Sequence, residues 1–379
     1  MRVFEVPLDE PVEMSFGAIS VRRLCLVEVH AGGLVGRGET WVNHPGWAWV
    51  ERVATLEEGV APLVRDTDVT DPEGTFGRLA AALVPLGRQW GALGPIWQAV
   101  SGVDVALWDL AGQIAGRPVA ALLGETHREA VPVYASGIGP SRVEILTERS
   151  LLAGFVAAKL KVGFGLRTDR LTVERARSVS GDSLRLFADA NRAWSMSEAE
   201  EMCRLLADYG VEWCEEPLSE DTPERFDELF EATGMPLATG ENVYGLSDTE
   251  RYLGCAAVAH MQPDVSKTGG ITHARNVSTL AERCGKAFSP HCYGSAVTVL
   301  ASAHVAAASG ALGWVELDIR DNPLRSDLLD APLQVVGGML TVPSVPGLGA
   351  QLDEGALHAF EVGSYELFGR SAGSRNRKD

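Results

Sequence analysis

Basic residues are scarce in this chain. Its 33 lysines and arginines stand against 51 aspartates and glutamates, a formal charge of −18 at pH 7. So acidic a surface argues against nucleic acid and anionic membranes as partners. It also means that any anionic substrate needs a locally placed cation. Paired cysteines are missing as well. The six cysteines, Cys25, Cys203, Cys214, Cys255, Cys284 and Cys292, are scattered, with no Cys-x-x-Cys pair. That pattern indicates reduced, mostly buried thiols in a cytosolic protein. The opening stretch MRVFEVPLDEPVEMSF lacks the basic-then-apolar order of a secretion signal. Long apolar runs are wanting too. The least polar segment, SAVTVLASAHVAAASGAL (295–312), contains His304 and several serines, and reads as a small-residue helix packed inside a soluble protein. The location expected from these absences is the cytoplasm.

What is present suits a globular α/β protein with many loops: 379 residues, 46% hydrophobic, with 41 glycines and 19 prolines. Residues 1–60 show strand-like alternation and Gly turns, which predicts a small antiparallel sheet. Residues 72–124 turn helical, with Val103, Ala106, Leu107 and Leu110 at helical spacing and a stop at Gly116 and Pro118. From residue 131 the texture changes again. Eight short strand-like segments follow: VPVYAS (131–136), VAAKLKV (156–162), LRLFAD (184–189), VEWCEE (211–216), PLATGE (236–241), AHMQPD (259–264), KAFSPH (286–291) and GWVELD (313–318). Amphipathic, Gly-terminated helical stretches separate them. Strands and helices in alternation predict a parallel βα barrel.

The late part of each strand carries something a barrel core does not need. AAKLKVGFG places Lys159 and Lys161 two residues apart, hence on one face of a strand. Asp189 ends the third segment, with Asn191 just beyond. Glu215 and Glu216 end the fourth, and Glu241, Asp264, His291 and Glu316 occupy the same place in the next four. One ionisable group per strand end puts all of them at one mouth of the barrel, the face where chemistry occurs in such folds. Asp189, Glu215 and Glu241 come from adjacent strands, and three converging carboxylates repel unless a hard divalent cation such as Mg²⁺ lies among them. Lys161 and His291 then flank the metal as possible bases. Asp264 is placed to accept a proton from one imidazole nitrogen and fix the tautomer of His291. Lys159 and the metal together are expected to depress the pKa of Lys161, and Lys159 to help hold an anionic substrate. Glu316, if protonated, could donate to a substrate carboxylate. Lys267, at the end of QPDVSK, suits the mouth or a loop equally.

This assembly suits abstraction of the proton next to a carboxylate, with the enediolate charge stabilised where it develops. The motifs KLK, DAN, EEP, GEN, QPDVSKTGG, SPHCYG and WVELD closely resemble the mandelate racemase group of the enolase superfamily, whose use of a Lys or His base with Mg²⁺ is a familiar pattern. The resemblance covers most of the chain. It implies a modified TIM barrel, (β/α)7β, spanning 126–325, an N-terminal α+β capping domain at 1–125, and a segment at 326–379 that returns to the cap. SGVDVALWDLAGQIAGRPVAALLG resembles the helix that joins the family's cap to its barrel. Carried over residue by residue, Asp189, Glu215 and Glu241 are the implied metal ligands, with Glu216 behind them. Lys161 is the implied base on one face, with Lys159 as its electrostatic partner. His291 and Asp264 form the implied dyad on the other. Glu316 matches the acid that contacts the substrate carboxylate, and Asn191 matches a polar position near the site. Glu in GEN and His in the seventh strand separate the chain from the muconate lactonizing group.

The product is open at this stage. Expulsion of a β-hydroxyl makes an acid-sugar dehydratase, the reading preferred here, and reprotonation from the opposite face makes a racemase or epimerase. WVNHPGWAW (41–49) either lines a lid over the substrate or is a surface loop, with Asn43, His44 and Arg22 as possible polar partners. A Schiff-base aldolase would not need the three spaced carboxylates, and a non-catalytic binding protein would have lost a ligand or base. The expected partners are a small carboxylate substrate and further copies of this chain.

Overall fold

A computed structural model of the chain describes residues 1–65, 67–365 and 367. The N-terminal part is an antiparallel sheet of β1 (Arg2–Met14), β2 (Gly17–Ala31) and β3 (Leu34–Thr40). Here the expectation for residues 1–60 needs correction. The sheet stops at Thr40, and AWVERVA, rich in helix formers, begins a helical stretch at Ala48 after the Pro-Gly turn. Two longer helices follow, Pro72–Trp90 and Leu93–Ala115. The second ends where the sequence indicates, at Gly116 with φ +64°.

Helix 93–115 is the seam of the molecule. One side lies on β3 so closely that a Cβ at Gly36 or Gly38 would sit 2.1 Å from the backbone oxygen of Ala106 or Gly102. Another side faces the barrel. There the buried Asp104 carboxylate accepts from Thr272 N (2.9 Å) and Oγ1 (2.6 Å), capping helix Gly270–Arg283 from outside its own chain segment. Trp108 Nε1 donates to the same hydroxyl.

All eight expected barrel strands form: β4 (Ala130–Ile138), β5 (Ala157–Lys161), β6 (Arg185–Asp189), β7 (Val211–Glu215), β8 (Leu237–Thr239), β9 (Val258–Met261), β10 (Ala287–Phe288) and β11 (Val315–Asp318). They run parallel and in sequence order, β11 pairs with β4, and a Phe288–Leu312 bridge closes the ring beside β10. Seven helices connect them among the described residues, which gives (β/α)7β. The last connecting helix, Ala296–Ala308, is the small-residue segment, and it is buried. No helix among the described residues is long and apolar enough to cross a membrane. After the barrel, β12 (Val335–Val336) and β13 (Met339–Thr341) form a hairpin on β4, and β14 (Glu361–Ser364) pairs with β1 in the cap sheet.

The bottom of the barrel is closed by aromatic rings. Phe187 stacks on Trp213 at 4.4 Å, with Tyr134 edge-on to both and Trp314 beside them. Polar chemistry is confined to the other end.

Candidate active site

Backbone register brings the first charged residues together. Lys161 ends β5 opposite Asp189 on β6, and Asp189 stands opposite Glu215 on β7. Lys159, two residues back, points the same way and is fully buried above the Tyr134 ring, 5.2 Å from its centre. Its ammonium lies 2.5 Å from Glu215, 3.0 Å from Glu316 and 3.8 Å from Asp189. Lys161 bonds to Asp189 and reaches Asn191 Oδ1 at 3.2 Å.

Three of the expected residues lie just past their strands. Glu241 follows β8 by two residues, while Asp264 and His291 follow β9 and β10 by three. The loops still deliver them to the mouth. Asp264 Oδ2 is 2.6 Å from His291 Nδ1, and Glu241 Oε2 is 2.6 Å from His291 Nε2. Lys267 completes the group, 3.4 Å from Glu241 and 4.9 Å above the Trp41 ring. Glu216 accepts from Asn242 and pairs with Arg192. Asn191, Arg192 and Glu216 all hold positive φ (46°, 61° and 37°), so backbone strain gathers at this mouth.

The electrostatics of the side chains correct the expectation for Glu316 and limit the one for Lys161. Burial opposes the Lys161 ammonium, and Lys159 opposes it further, yet Asp189, with Glu215 and Glu316 behind it, outweighs both and holds its pKa above the ordinary lysine value. The paired lysine alone does not make Lys161 a free base. Glu316 is an acceptor, not a protonated donor. Burial pushes it up, but the ammonium of Lys159 and the His291 imidazole bring it down to about 2. It accepts from Ser136 and from Cys292 N. Burial works against charge on His291 too, but Glu241 and Glu316 raise its pKa well above the usual value. Burial and the Asp189 charge push Glu215 up to about 7, and burial with Glu241 pushes Glu216 up to about 8.

Asp189, Glu215 and Glu241 supply hard oxygen donors of the kind that suits Mg²⁺. As the side chains stand, each is engaged by a cationic group: Asp189 by Lys161, Glu215 by Lys159, Glu241 by His291 and Lys267. Among the described residues no three His, Cys, Asp or Glu side chains are grouped closely enough to hold a metal. The donors fit in chemical kind, and the excess of buried carboxylate shown by Glu215 and Glu216 favours an added cation.

Lys161, Asn191, Glu241, Lys267 and His291 line one cavity of about 400 Å³. Lys161 and His291 stand on well-separated walls, since β11 and β4 lie between β10 and β5 around the ring. From the cap come Met14, Phe16, Trp41, His44 and Gln98. The 41–49 stretch is thus divided: Trp41 and His44 face the cavity, while Trp47 is 72% exposed. Arg22 does not line it; buried, it pairs with Asp318 at 2.5 Å. Sequence reasoning missed Gln262, which donates to Glu215 at 3.0 Å, and Asn242, which donates to Glu241 at 2.9 Å. Both sit inside the QPD and GEN motifs and could have been weighed there. Tyr293, which also lines the cavity, sits inside SPHCYG in the same way, whereas Ser136 carried no comparable signal.

Residues 1–124 match the model of the mandelate racemase / muconate lactonizing enzyme N-terminal domain, and residues 143–356 match the enolase C-terminal domain-like model. The chain belongs to the mandelate racemase group of the enolase superfamily. Among curated members of this superfamily, the D-galactarolactone cycloisomerase of Agrobacterium fabrum is 30% identical over 95% of this chain and 97% of its own. The arabinonate dehydratase of Saccharolobus solfataricus is 29% identical over 88% of each. A solved racemase from Streptomyces coelicolor A3(2) with bound magnesium superposes with a TM-score of 0.85 at 28% identity, covering 95% of this chain and 98% of that one.

Proposed function

We propose that the protein is a Mg²⁺-dependent hydro-lyase. It takes the proton α to the carboxylate of an aldonate or aldarate, expels the β-oxygen through an enediolate, and gives a 2-keto-3-deoxy acid. The observation that carries this reading is the pair Lys161 and His291 on separate walls of one cavity, with Asp189, Glu215 and Glu241 beside them. The similarity to a D-galactarolactone cycloisomerase and an arabinonate dehydratase supports an acid-sugar substrate class.

In this reading Lys161, a neutral amine once a bound cation takes up the Asp189 charge that now holds its proton, accepts the α-proton on its face of the substrate. Lys159 keeps a fixed positive charge where the carboxylate gains electron density, and Glu316 holds that ammonium in place. Asp264 anchors Nδ1 of His291, so Nε2 delivers its proton to the departing oxygen. Asn191 and Lys267 bind the acid's oxygens. When bound by Asp189, Glu215 and Glu241, Mg²⁺ would neutralise negative charge on those ligands and on the acid. A cytoplasmic location and a homo-oligomeric assembly belong to the same proposal, the first supported by six free cysteines.

Racemisation or epimerisation is the second reading, favoured by the same two opposed bases. A proton NMR screen in D₂O with Mg²⁺ and a panel of aldonates, aldarates and simple 2-hydroxy acids separates the two. Loss of a hydroxyl with formation of a 2-keto acid is the expected result, and EDTA should stop it. Deuterium at the α-carbon with inversion, and no elimination, moves the assignment to the racemase. Undiminished turnover in the strict absence of divalent metal removes the proposed chemistry.

A further inference from the structure

The two bases are held by different means. Lys161 belongs to β5, and the ladder to β6 fixes its backbone. His291 has less of it: β10 ends at Phe288, residues 289–295 form no helix or strand, and the last backbone bonds before it are Ser289 N to Met261 O (2.9 Å) and Glu316 N to Pro290 O (3.3 Å). Beyond His291, side chains from elsewhere secure each successive residue. Cys292 N donates to Glu316 at 3.1 Å. Asn43 Nδ2 donates to the carbonyl of Tyr293 at 3.0 Å, and Asn322 Nδ2 to that of Gly294 at 3.2 Å. Ser295 donates to Glu39 Oε2 through N (3.0 Å) and Oγ (2.6 Å).

Two of these four anchors, Glu39 and Asn43, come from the cap, and both are buried. The backbone between them also bonds to the barrel. Trp41 N donates to Ser266 O at 2.9 Å, and Ser266 in turn donates to Asp264 Oδ1 through N (2.7 Å) and Oγ (2.6 Å). The Trp41 ring lies 5.9 Å from that of His291. One short strap of the cap therefore touches the supports of both members of the Asp264–His291 pair. On the other side the cap contributes Ser15, whose hydroxyl donates to Ala190 O at 3.2 Å, but Lys161 keeps its own strand.

We infer that the strap 39–43 positions the His291 face of the site, with Asn43 and Glu39 as positioning residues selective for proton transfer at that face. This rests on the reading of Lys161 and His291 as opposed bases. Proton transfer is sensitive to placement, a displacement near 1 Å costing on the order of 100-fold. Loosening the strap should then slow one face and spare the other.

The test uses Asn43→Leu and Glu39→Gln in the full chain with Mg²⁺. The probes are aldonates epimeric at carbon 2, gluconate with mannonate and galactonate with talonate, in D₂O. The face served by each base is defined by which epimer stops exchanging in Lys161→Ala and in His291→Asn. Asn43→Leu should slow exchange at the His291 face by about tenfold or more, with the Lys161 face within about twofold. Glu39→Gln should give a smaller loss of the same selectivity. Equal loss at both faces, or none, overturns the inference. A second readout needs no turnover: the low-field Nδ1 proton of His291, assigned by its absence in His291→Asn. It should shift in Asn43→Leu and stay in place in Ser15→Ala. An unmoved resonance overturns the positioning role. A resonance that moves while no wild-type exchange occurs sustains the positioning role and removes the proposed reaction instead.

Discussion

Each charged residue of this site is defined by the group opposite it. Lys159 shows this most clearly: it is fully buried and surrounded by Glu215, Glu316 and Asp189. Lys159→Met would remove the ammonium that Glu215 and Glu316 share and leave buried negative charge uncompensated, and urea unfolding should show a loss of about 3–5 kcal/mol. Lys161 and His291 have a different expected signature. Lys161→Ala and His291→Asn should abolish turnover while the circular dichroism spectrum and melting temperature stay close to wild type. Asp264→Asn leaves the imidazole in place without its carboxylate partner, and turnover should fall by about 100- to 10,000-fold. A fall of less than about threefold would show that Asp264 does not govern the imidazole proton. These residues were legible as a set because ionisable groups recur at successive strand ends. Their charge states were not. KLK shows that a second ammonium is two residues away, but only the register reveals that Asp189 stands across from Lys161.

Among elements, the eight barrel strands were readable because short apolar segments alternate with Gly-ended amphipathic helices. Strand ends were less so. Composition does not report where ladder bonds cease, and β10 retains only two paired residues before the chain leaves for His291. The helical stretch after residue 47 is hidden by its neighbours, because the alternation and Gly turns of RRLCLVEVHA and GLVGRGET predict sheet for residues 1–60 together. Anchors such as Asn43 to Tyr293 join residues 250 apart and leave no local pattern. The closest element contact, β3 on helix 93–115, gives a sharp expectation. In Gly38→Val the new side chain would meet helix backbone at 2.1 and 2.6 Å, which cannot yield as a side-chain tip does. Overpacking there should cost about 3 kcal/mol in urea unfolding. Gly17→Val, with nothing within 4 Å, should be nearly neutral. Similar losses in both would mean that β3 and the helix separate easily.

Over the whole molecule, burial has neutralised histidines in three separate places. His260 under the barrel, His273 at the seam and His304 on helix 296–308 are each pushed down to about 4. An unfolded chain protonates them near 6.5, so between pH 6.5 and 4 it takes up protons that the fold refuses, and stability falls as pH falls. Asp104 and Glu216, raised by burial to about 7 and about 8, titrate in the opposite sense, so one histidine's share is best read as a difference. His273 has no hydrogen-bond partner at either nitrogen among the described residues. Below pH 6.5, wild type should lose stability relative to His273→Leu by about 1.4 kcal/mol per pH unit. Parallel curves for the two proteins would place protonated His273 comfortably inside the fold. The aromatic rings beneath Lys159 have a consequence of another kind. They fill the barrel below the lysines, so the cavity shared by Lys161 and His291 lies between these rings and the cap. A product that lingers there occupies the place its precursor needs, and accumulated product should inhibit by simple competition with substrate.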